Sequence, residues 1–393
     1  MNGRMGDEVG SEGLGRVLAH LERLVQFDTR NPPRAMDEGG IFGYLREALP
    51  AGFAVEVQDL GEGCVWLHAV RGTPRVLFNV HVDTVPADPG WTRDPLRLAV
   101  EGDQAVGLGA CDIKGAAAAL LVAAEMTGGD AAFLFSSDEE AGSSRCIRDF
   151  TARHRYEEVV VGEPTSCKAV LAHRGIGTAT AVFQGVGGHA SGARALKDSA
   201  VHEAVRWAAR ALEEAERTER GEGERGEKGG EGEATGAGEG GAGGLRGIRL
   251  NLGVIEGGVK SNMIASQAMV RFGVRPPPSR RPEAVIDGLA ALAPDRARIT
   301  VTKGFLAPPL PADGEAGIQR GRALAARFGL TEGAAVDFWT EAALFSEGGV
   351  AAVVFGPGDI RQAHTAGEFV PLADLAGALA VYRRMLGGAG GGS

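Results

Sequence analysis

Five short segments place carboxyl or imidazole groups directly after apolar stretches or in glycine-rich loops. The segments are His81-Val82-Asp83, Cys111-Asp112-Ile113-Lys114-Gly115, Asp138-Glu139-Glu140, Gly162-Glu163-Pro164 and Ala363-His364-Thr365. Taken singly, each is more typical of a structural histidine, a solvated charge run or a turn. Together they supply imidazole and carboxylate ligands without a cluster of thiolates, a set that suits Zn²⁺, Co²⁺ or Mn²⁺. The sequence therefore predicts a metal centre.

The spacing within these segments indicates which groups bind a metal and which assist. His81 and Asp83 are two residues apart, so on a strand they point the same way, and Asp83 can hold the second nitrogen of a ligating imidazole. Two adjacent carboxylates, Glu139 and Glu140, repel each other unless a cation lies between them. A metal bound by one of them, with the other as a base on water, resolves that repulsion. Cys111 is either a further ligand or a small buried residue.

The hydrophobic pattern predicts elements that position these groups. A mostly apolar run at 76–80 is typical of a central strand covered on both faces. Further strands are predicted at 53–57, 131–135, 158–161, 335–338 and 351–355, and helices at 14–25, 41–49, 114–126, 146–153, 315–328 and 372–386. Strands that alternate with helices indicate an α/β sheet with its active groups at strand ends.

The pattern changes in the middle of the chain. Between about 177 and 303, the predicted order is β-α-β-β-α-β, which is the ferredoxin-like arrangement. We therefore predict a small domain at 177–303, inserted into a larger one formed by 1–176 and 304–393. Residues 221–244 contain 12 glycines and six acidic residues. Such a segment buries too little apolar surface to offset its ordering entropy, so we expect a disordered loop, with a functional acidic tether as the alternative.

Composition excludes several other classes of protein. With 41 basic and 51 acidic side chains, the net charge of −10 gives no basic surface for nucleic acid or an anionic membrane. Four scattered cysteines without a CxxC pair argue against a disulfide scaffold and for the cytoplasm. The polar, acidic beginning of the chain has no apolar core of a secretion signal.

Six motifs, taken in order, resemble the signatures of a known enzyme family. The motifs are HVDTVP, GLGACDIKG, SSDEEAG, GEP, GGHAS and AHTAGE. They resemble those of the dinuclear zinc deacylases and carboxypeptidases, which include acetylornithine deacetylase, succinyl-diaminopimelate desuccinylase and aminoacylase. The resemblance implies an α/β, mixed-sheet metallopeptidase-like catalytic domain with an inserted ferredoxin-like (βαββαβ) lid and dimerisation domain. Within the family, stretches such as ACDIKGAAAALL and GPGDIRQAHTA are most similar to the deacetylases of N-acetyl-L-citrulline.

The resemblance also implies a ligand set. His81, Asp112 and Glu163 would hold one metal ion, and Asp112, Glu140 and His364 would hold a second, with Asp112 bridging. One or two ions of Zn²⁺ or Co²⁺ per subunit are expected.

Further roles follow from the same resemblance. Glu139 would be the general base, Asp83 would orient the ligating imidazole, and His189 would reach across a homodimer to stabilise the oxyanion. By residue type alone, His189 is an ordinary histidine on a flexible Gly-Gly loop. Asn262 and Arg275 match positions that contact substrate in relatives. A guanidinium suits a carboxylate, but Arg275 also fits an ordinary surface arginine.

Trp339 departs from the pattern of acetylornithine deacetylases, which usually carry a small residue there. A bulky apolar wall would favour a neutral ureido group over an ammonium group, which is costly to desolvate, whereas a core tryptophan is the alternative. We predict metal-dependent hydrolysis of N-acetyl-L-citrulline to citrulline and acetate in arginine biosynthesis. The alternatives are an acetylornithine deacetylase, a dipeptidase or carboxypeptidase of the same family, and an inactive relative that serves as a binding or scaffold protein.

Overall fold

The computed structural model describes residues 2–33, 36–221 and 245–387, with the backbone alone for 2–11. The chain divides into two compact units. The first unit comprises Met1–Leu171, Glu315–Gly333 and Thr340–Ser393, and the second comprises Ala172–Gly314 and Ala334–Trp339. The glycine-rich loop predicted at 221–244 lies outside the described residues from 222 onward. Among the described helices, none is long and apolar enough to cross a membrane.

The helices and strands follow one another in three stretches of the chain. The first contains α1 (Asn2–Gln26), α2 (Gly40–Ala48), β1 (Ala54–Asp59), β2 (Val65–Arg71), β3 (Val76–His81), β4 (Ala99–Glu101), β5 (Gln104–Val106), α3 (Gly115–Glu125), β6 (Ala131–Ser136), α4 (Arg145–Arg153) and β7 (Glu158–Val161). The second contains β8 (Ile176–Gln184), β9 (Gly188–His189), α5 (Ala195–Asp198), α6 (Ala200–Glu219), β10 (Arg249–Gly257), β11 (Met263–Ile264), β12 (Gln267–Arg275), α7 (Pro282–Ala290) and β13 (Ile299–Ala307). The last contains α8 (Glu315–Arg327), α9 (Ala342–Glu347), β14 (Ala351–Val354), β15 (Phe369–Pro371) and α10 (Leu372–Leu386).

The first unit is built on a six-stranded mixed sheet in the order β1-β2-β6-β3-β7-β14. The last four strands are parallel, and every residue of these strands is buried. Buried apolar strands of this kind need helices on both faces of the sheet. One of these helices is α3, whose residues 115–124 are all buried and mostly alanine, so that it packs closely against α1 and α10.

The parallel strands bring the chemically active loops together. His81 is the last residue of β3 and pairs in register with Ser136, the last residue of β6. The acidic run at 138–140 follows β6, and Glu163 follows β7 by two residues. Because parallel strands end at the same edge of a sheet, these groups lie side by side.

The second unit carries an antiparallel sheet in the order β10-β12-β8-β13. Its connections follow the order strand, helix, strand, strand, helix, strand through α6 and α7, which is the ferredoxin-like arrangement. Trp207 of α6 anchors the core between Phe183 and Phe272, with ring centroids 5.6 and 5.2 Å away. Its indole N–H donates to the carbonyl oxygen of Leu289 on α7, so one side chain joins both helices to the sheet.

Two local predictions are wrong. Residues 335–338 form no strand, because only Val336 pairs with the backbone, at His173, and the ladder does not continue on either side. The Gly-Gly-His segment is not a flexible loop, since Gly188 and His189 form β9 and pair with Ile264 and Met263.

Candidate metal centre

His81 is the central residue of a first group of three side chains that could hold a metal ion. Its Nε2 lies 3.1 Å from Oδ1 of Asp112 and 3.6 Å from Oε1 of Glu163. All three side chains are buried, and their ligand atoms lie within 4.8 Å of one another. One imidazole and two carboxylates around a common point form a donor set for a divalent cation.

A second group of three shares one carboxylate with the first. Nε2 of His364 lies 2.9 Å from Oε1 of Glu140 and 3.5 Å from Oδ2 of Asp112. Their ligand atoms also lie within 4.8 Å of one another. Asp112 therefore presents Oδ1 to one group and Oδ2 to the other, as a carboxylate that bridges two ions does.

The pKa values of the two imidazoles show how strongly the site attracts positive charge. Burial alone would lower the pKa of His81, but its hydrogen bonds to Asp112 and Asp83 outweigh burial and hold the pKa well above the usual 6.5. Hydrogen bonds to Asp112 and Glu140 raise the pKa of His364 to about 10. Protons on these rings balance the carboxylates where a divalent ion would otherwise do so, so the residues present fit such an ion.

The pKa values of the carboxyl groups in the site shift in opposite directions. Burial would raise the pKa of Asp112, but hydrogen bonds from His364 and His81 hold it well below its usual range. Burial raises the pKa of Glu163 well above its usual range. It also raises the pKa of Glu139 well above the usual 4.5, with the charges of Glu140 and Glu163 adding to the effect and that of His81 opposing it. Glu139 is thus a carboxyl group that binds a proton more tightly than a free glutamate does, which is the direction a general base requires.

Asp83 is fully buried behind the first imidazole. Its Oδ2 accepts hydrogen bonds from Nδ2 of Asn31 and from the backbone N–H of Glu140, both 3.0 Å away. Its Oδ1 lies 3.4 Å from Nδ1 of His81, and its backbone oxygen lies 3.1 Å from the same nitrogen. The hydrogen bond from the backbone N–H of Glu140 also holds the end of the acidic run at 138–140, so Asp83 contacts two elements of the site at once.

Glu368 is a positioning residue that sequence reasoning missed. Its buried carboxylate accepts hydrogen bonds from the backbone N–H groups of Gly109, Cys111 and Asp112, at 2.9–3.0 Å. Burial, followed by the charge of Asp112, raises its pKa to about 7. Gly109 has φ +77°, and a Cβ there would lie 2.6 Å from Cγ2 of Thr84, so this turn requires glycine. Glu368 lies in the AHTAGE motif, but its position in the sequence gives no sign that it binds the backbone of a distant loop.

Replacing Glu368 by glutamine should loosen the metal centre. A carboxamide offers one oxygen acceptor in place of two, which leaves a buried N–H unsatisfied at a cost of about 1–3 kcal/mol. Loss of such an outer partner typically weakens metal affinity ~10–100-fold. Zinc titration and thermal unfolding of E368Q measure both effects, with E332Q, which removes a surface ion pair to Arg322, as control. Wild-type affinity and Tm in E368Q would contradict the role.

Of the two interpretations of Cys111, the structure supports a small buried residue over a metal ligand. Its Sγ donates to the carbonyl oxygen of Asp359 at 3.4 Å. Burial raises the pKa of the thiol well above its usual range, which keeps it protonated and a poor metal ligand.

The remaining predicted residues all belong to the second unit. His189 is exposed in β9, with Nδ1 2.8 Å from Oγ of Ser191. Asn262 is exposed, and its backbone oxygen accepts from the N–H of Ala190 at 3.1 Å, so the segments of His189 and Asn262 are neighbours. Arg275 is the last residue of β12 and half-buried. Trp339 is half-buried as well. The residues that contact its indole ring, Phe305 and Pro308, also belong to the second unit.

Comparison with known proteins connects this geometry to a family. Residues 77–387 match the model described as peptidase family M20/M25/M40. The chain is 50% identical over 382 residues to N-acetyl-L-citrulline deacetylase from Xanthomonas campestris pv. campestris, covering 95% of this chain and 98% of that one. It is 32% identical over 400 residues to acetylornithine deacetylase from Myxococcus xanthus, with 95% and 97% covered.

A solved structure shares the fold. The M20 family metallo-carboxypeptidase Sso-CP2 from Sulfolobus solfataricus superposes with a TM-score of 0.69 at 17% identity, covering 94% of this chain and 98% of that one. The predicted metallopeptidase-like α/β fold with a mixed sheet is thereby confirmed. From the match over 311 residues and the 50% identical relative, this chain belongs to peptidase family M20/M25/M40.

Proposed function

We propose that this chain is a metal-dependent amidohydrolase that converts N-acetyl-L-citrulline into citrulline and acetate in arginine biosynthesis. The observation that carries the substrate is the 50% identity to N-acetyl-L-citrulline deacetylase, which extends over nearly the whole of both chains. The chain keeps two three-residue groups that share one buried carboxylate, so the catalytically inactive alternative has no support.

The proposed cofactor is one or two ions of Zn²⁺ or Co²⁺. His81, Asp112 and Glu163 would hold the first, and Asp112, Glu140 and His364 would hold the second. When bound, such ions supply Lewis acidity toward the acetyl carbonyl and the attacking water. The buried, carboxylate-rich surroundings and the raised imidazole pKa values support a site built for positive charge.

The chain's own groups would move the proton and hold the substrate. Glu139 takes a proton from the attacking water and returns it to the amine nitrogen as the C–N bond breaks. Asp83 orients the imidazole of His81. His189 stabilises the oxyanion, and Asn262 and Arg275 bind the substrate, the latter through a paired contact of its guanidinium with the α-carboxylate. These three assignments rest on the family resemblance and on the exposed or half-buried positions of the side chains.

Homodimer formation is proposed through the second unit. Val259, Met263 and Val186 are large apolar side chains on this unit with 90%, 52% and 56% of their surface exposed. Such exposure favours an interface with another chain. A cytoplasmic location is proposed on the cysteine pattern alone.

Trp339 is the residue we propose for side-chain selectivity. Its indole N–H donates to the carbonyl oxygen of Pro308 at 3.0 Å, and its ring meets Phe305 edge-on at 5.8 Å between centroids. These contacts fix the ring and use its polar atom, so the part of the ring that stays exposed is apolar. An apolar face favours a neutral ureido group over an ammonium group, whose desolvation is costly.

Replacing Trp339 by alanine should therefore reduce selectivity. One apolar contact in a pocket is typically worth ~10-fold or more in kcat/KM discrimination. We expect the ratio of kcat/KM for N-acetylcitrulline to that for N-acetylornithine to fall about tenfold. W339F keeps an aromatic wall and should retain most of the wild-type ratio. The same ratio in W339A as in the wild type would show that this side chain is a core residue.

The second candidate is an acetylornithine deacetylase. It is favoured by the 32% identical Myxococcus xanthus relative. A panel of N-acetylcitrulline, N-acetylornithine, N-acetylmethionine and a dipeptide separates this activity and a peptidase from the main proposal.

A further inference from the structure

A second cluster of metal-binding side chains lies in the first unit, apart from the residues of the metal centre. Glu56, His68 and His154 each offer one ligand atom, and these atoms lie within 4.8 Å of one another. None of the six motifs contains these residues, and the proposed reaction uses none of them.

The sheet brings two of the three together directly. Glu56 on β1 and His68 on β2 are partners in the antiparallel register. Directly opposite residues place their side chains on one face, with Cβ atoms ~4.5–5.5 Å apart. The hairpin therefore presents a carboxylate beside an imidazole, whatever covers that face.

The third side chain belongs to the residue that directly follows α4. The helix ends at Arg153, and His154 turns to an extended conformation with φ −116° and ψ 151°, its backbone N–H still bonded to Phe150. This places the ring of His154 4.7 Å from that of His68, between centroids. Nε2 of His154 lies 3.1 Å from Oε2 of Glu56.

Each of the two imidazoles offers a nitrogen atom as a metal ligand. His68 is 94% buried, and its Nε2 lies 2.7 Å from the hydroxyl of Tyr156. With the proton on Nε2, this contact orients the ring and leaves the lone pair on Nδ1. Nε2 of His154 is buried and makes no hydrogen bond with any described residue, although it faces the Glu56 carboxylate.

The charge state of His68 also suits a cation. Burial, followed by repulsion from His154, lowers the pKa of His68 to about 4. The ring is therefore neutral at pH 7, the form in which imidazole binds a metal. Glu56 is exposed on 46% of its side-chain surface, so its carboxylate can adjust its position.

We propose that Glu56, His68 and His154 form a separate, structural binding site for Zn²⁺. Two imidazoles and one carboxylate are a borderline donor set that zinc accepts, with its fourth position open to water. An ion there would cross-link the β1–β2 hairpin to the C-terminal end of α4. It stabilises the fold and takes no part in amide hydrolysis.

The test counts zinc ions in the full-length protein after dialysis against a slight excess of Zn²⁺. The ring of His154 stacks on the ring of Phe150, with centroids 4.8 Å apart and an interplanar angle of 22°. The phenyl ring of H154F keeps this stacking, and the variant lacks the metal-binding nitrogen. H20F is the matched control, because His20, like His154, lies beside a glutamate and an aromatic ring, those of Glu125 and Tyr44, but has no second imidazole. We expect wild type and H20F to hold one more zinc ion per chain than H154F, with equal deacetylase activity in all three.

A second variant guards against misfolding of the first. E56Q changes an exposed strand residue, so we expect it to fold and to bind the additional ion at least tenfold more weakly. Excess zinc should raise the Tm of the wild type by more than the Tm of H154F, which keeps only the metal centre to bind it. Equal zinc counts in wild type, H154F and E56Q would overturn the site, whatever the activity assay shows.

Discussion

Replacing Glu139 by glutamine is expected to lower kcat by ~10³-fold, within the range that a positioned general base contributes, while the zinc content stays at the wild-type value. The glutamine keeps the size of the side chain but cannot take a proton from water. Burial holds the pKa of Glu139 well above 4.5, so the carboxylate is a stronger base than a free glutamate.

The neighbouring residue provides the comparison for this prediction. E140Q makes the same chemical change one position away, at a side chain 2.9 Å from Nε2 of His364. We expect E140Q to lose zinc together with activity, whereas E139Q loses activity alone. Wild-type turnover in E139Q would refute its role as base, and zinc loss in E139Q would mark it as a ligand.

Replacing Asp112 by asparagine is expected to disable both ion sites. The carboxylate presents one oxygen to His81 and the other to His364, so its charge serves both three-residue groups. Loss of an outer partner already costs ~10–100-fold in metal affinity. Loss of the shared ligand should exceed about 100-fold in zinc affinity, and activity at limiting zinc should vanish.

Asp138 offers the matched control for this second prediction. It is also a buried aspartate, but its carboxylate accepts hydrogen bonds from the backbone N–H groups of Arg145 and Cys146 at the start of α4. D138N should lower the free energy of unfolding by about 1 kcal/mol, as loss of a helix-capping acceptor does, and should keep its zinc. Normal zinc affinity in D112N, measured by titration, would remove the bridging assignment.

The residues that come together in the two three-residue groups could be predicted because their signals are local. His81 ends an apolar strand, whereas Glu140 and Glu163 each follow one within a few residues. Parallel strands end at one edge of the sheet, so these residues meet there. The bounds predicted for the strand at 158–161 and the helix at 372–386 are the observed ones, since the first is a short apolar run and the second has a helical hydrophobic period.

The supporting residues could not be predicted because their signals are not local. Glu368 is bonded to backbone N–H groups more than 250 positions earlier in the chain. Asn31 reaches Asp83 through a side-chain contact that its Asn-Pro-Pro setting does not indicate. Strand β2 was missed because its sequence, VWLHAVR, breaks an apolar run with His68, which is the residue that faces Glu56 in the further zinc site.

The family fold and the substrate rest on different observations. The fold follows from a family match over most of the chain and from a solved neighbour at 17% identity. The choice of a ureido substrate depends on the 50% identical relative and on an apolar face at Trp339. A change in substrate would leave the metal centre and the general base untouched.

The most direct measurement is the steady-state hydrolysis of N-acetyl-L-citrulline and N-acetyl-L-ornithine by one zinc-loaded preparation, with the metal content of the same sample determined. The proposed function predicts release of acetate and citrulline, a kcat/KM for acetylcitrulline above that for acetylornithine, and loss of both activities on chelation with recovery on adding Zn²⁺ or Co²⁺. Equal or faster turnover of acetylornithine, or activity that survives complete removal of metal, would contradict it.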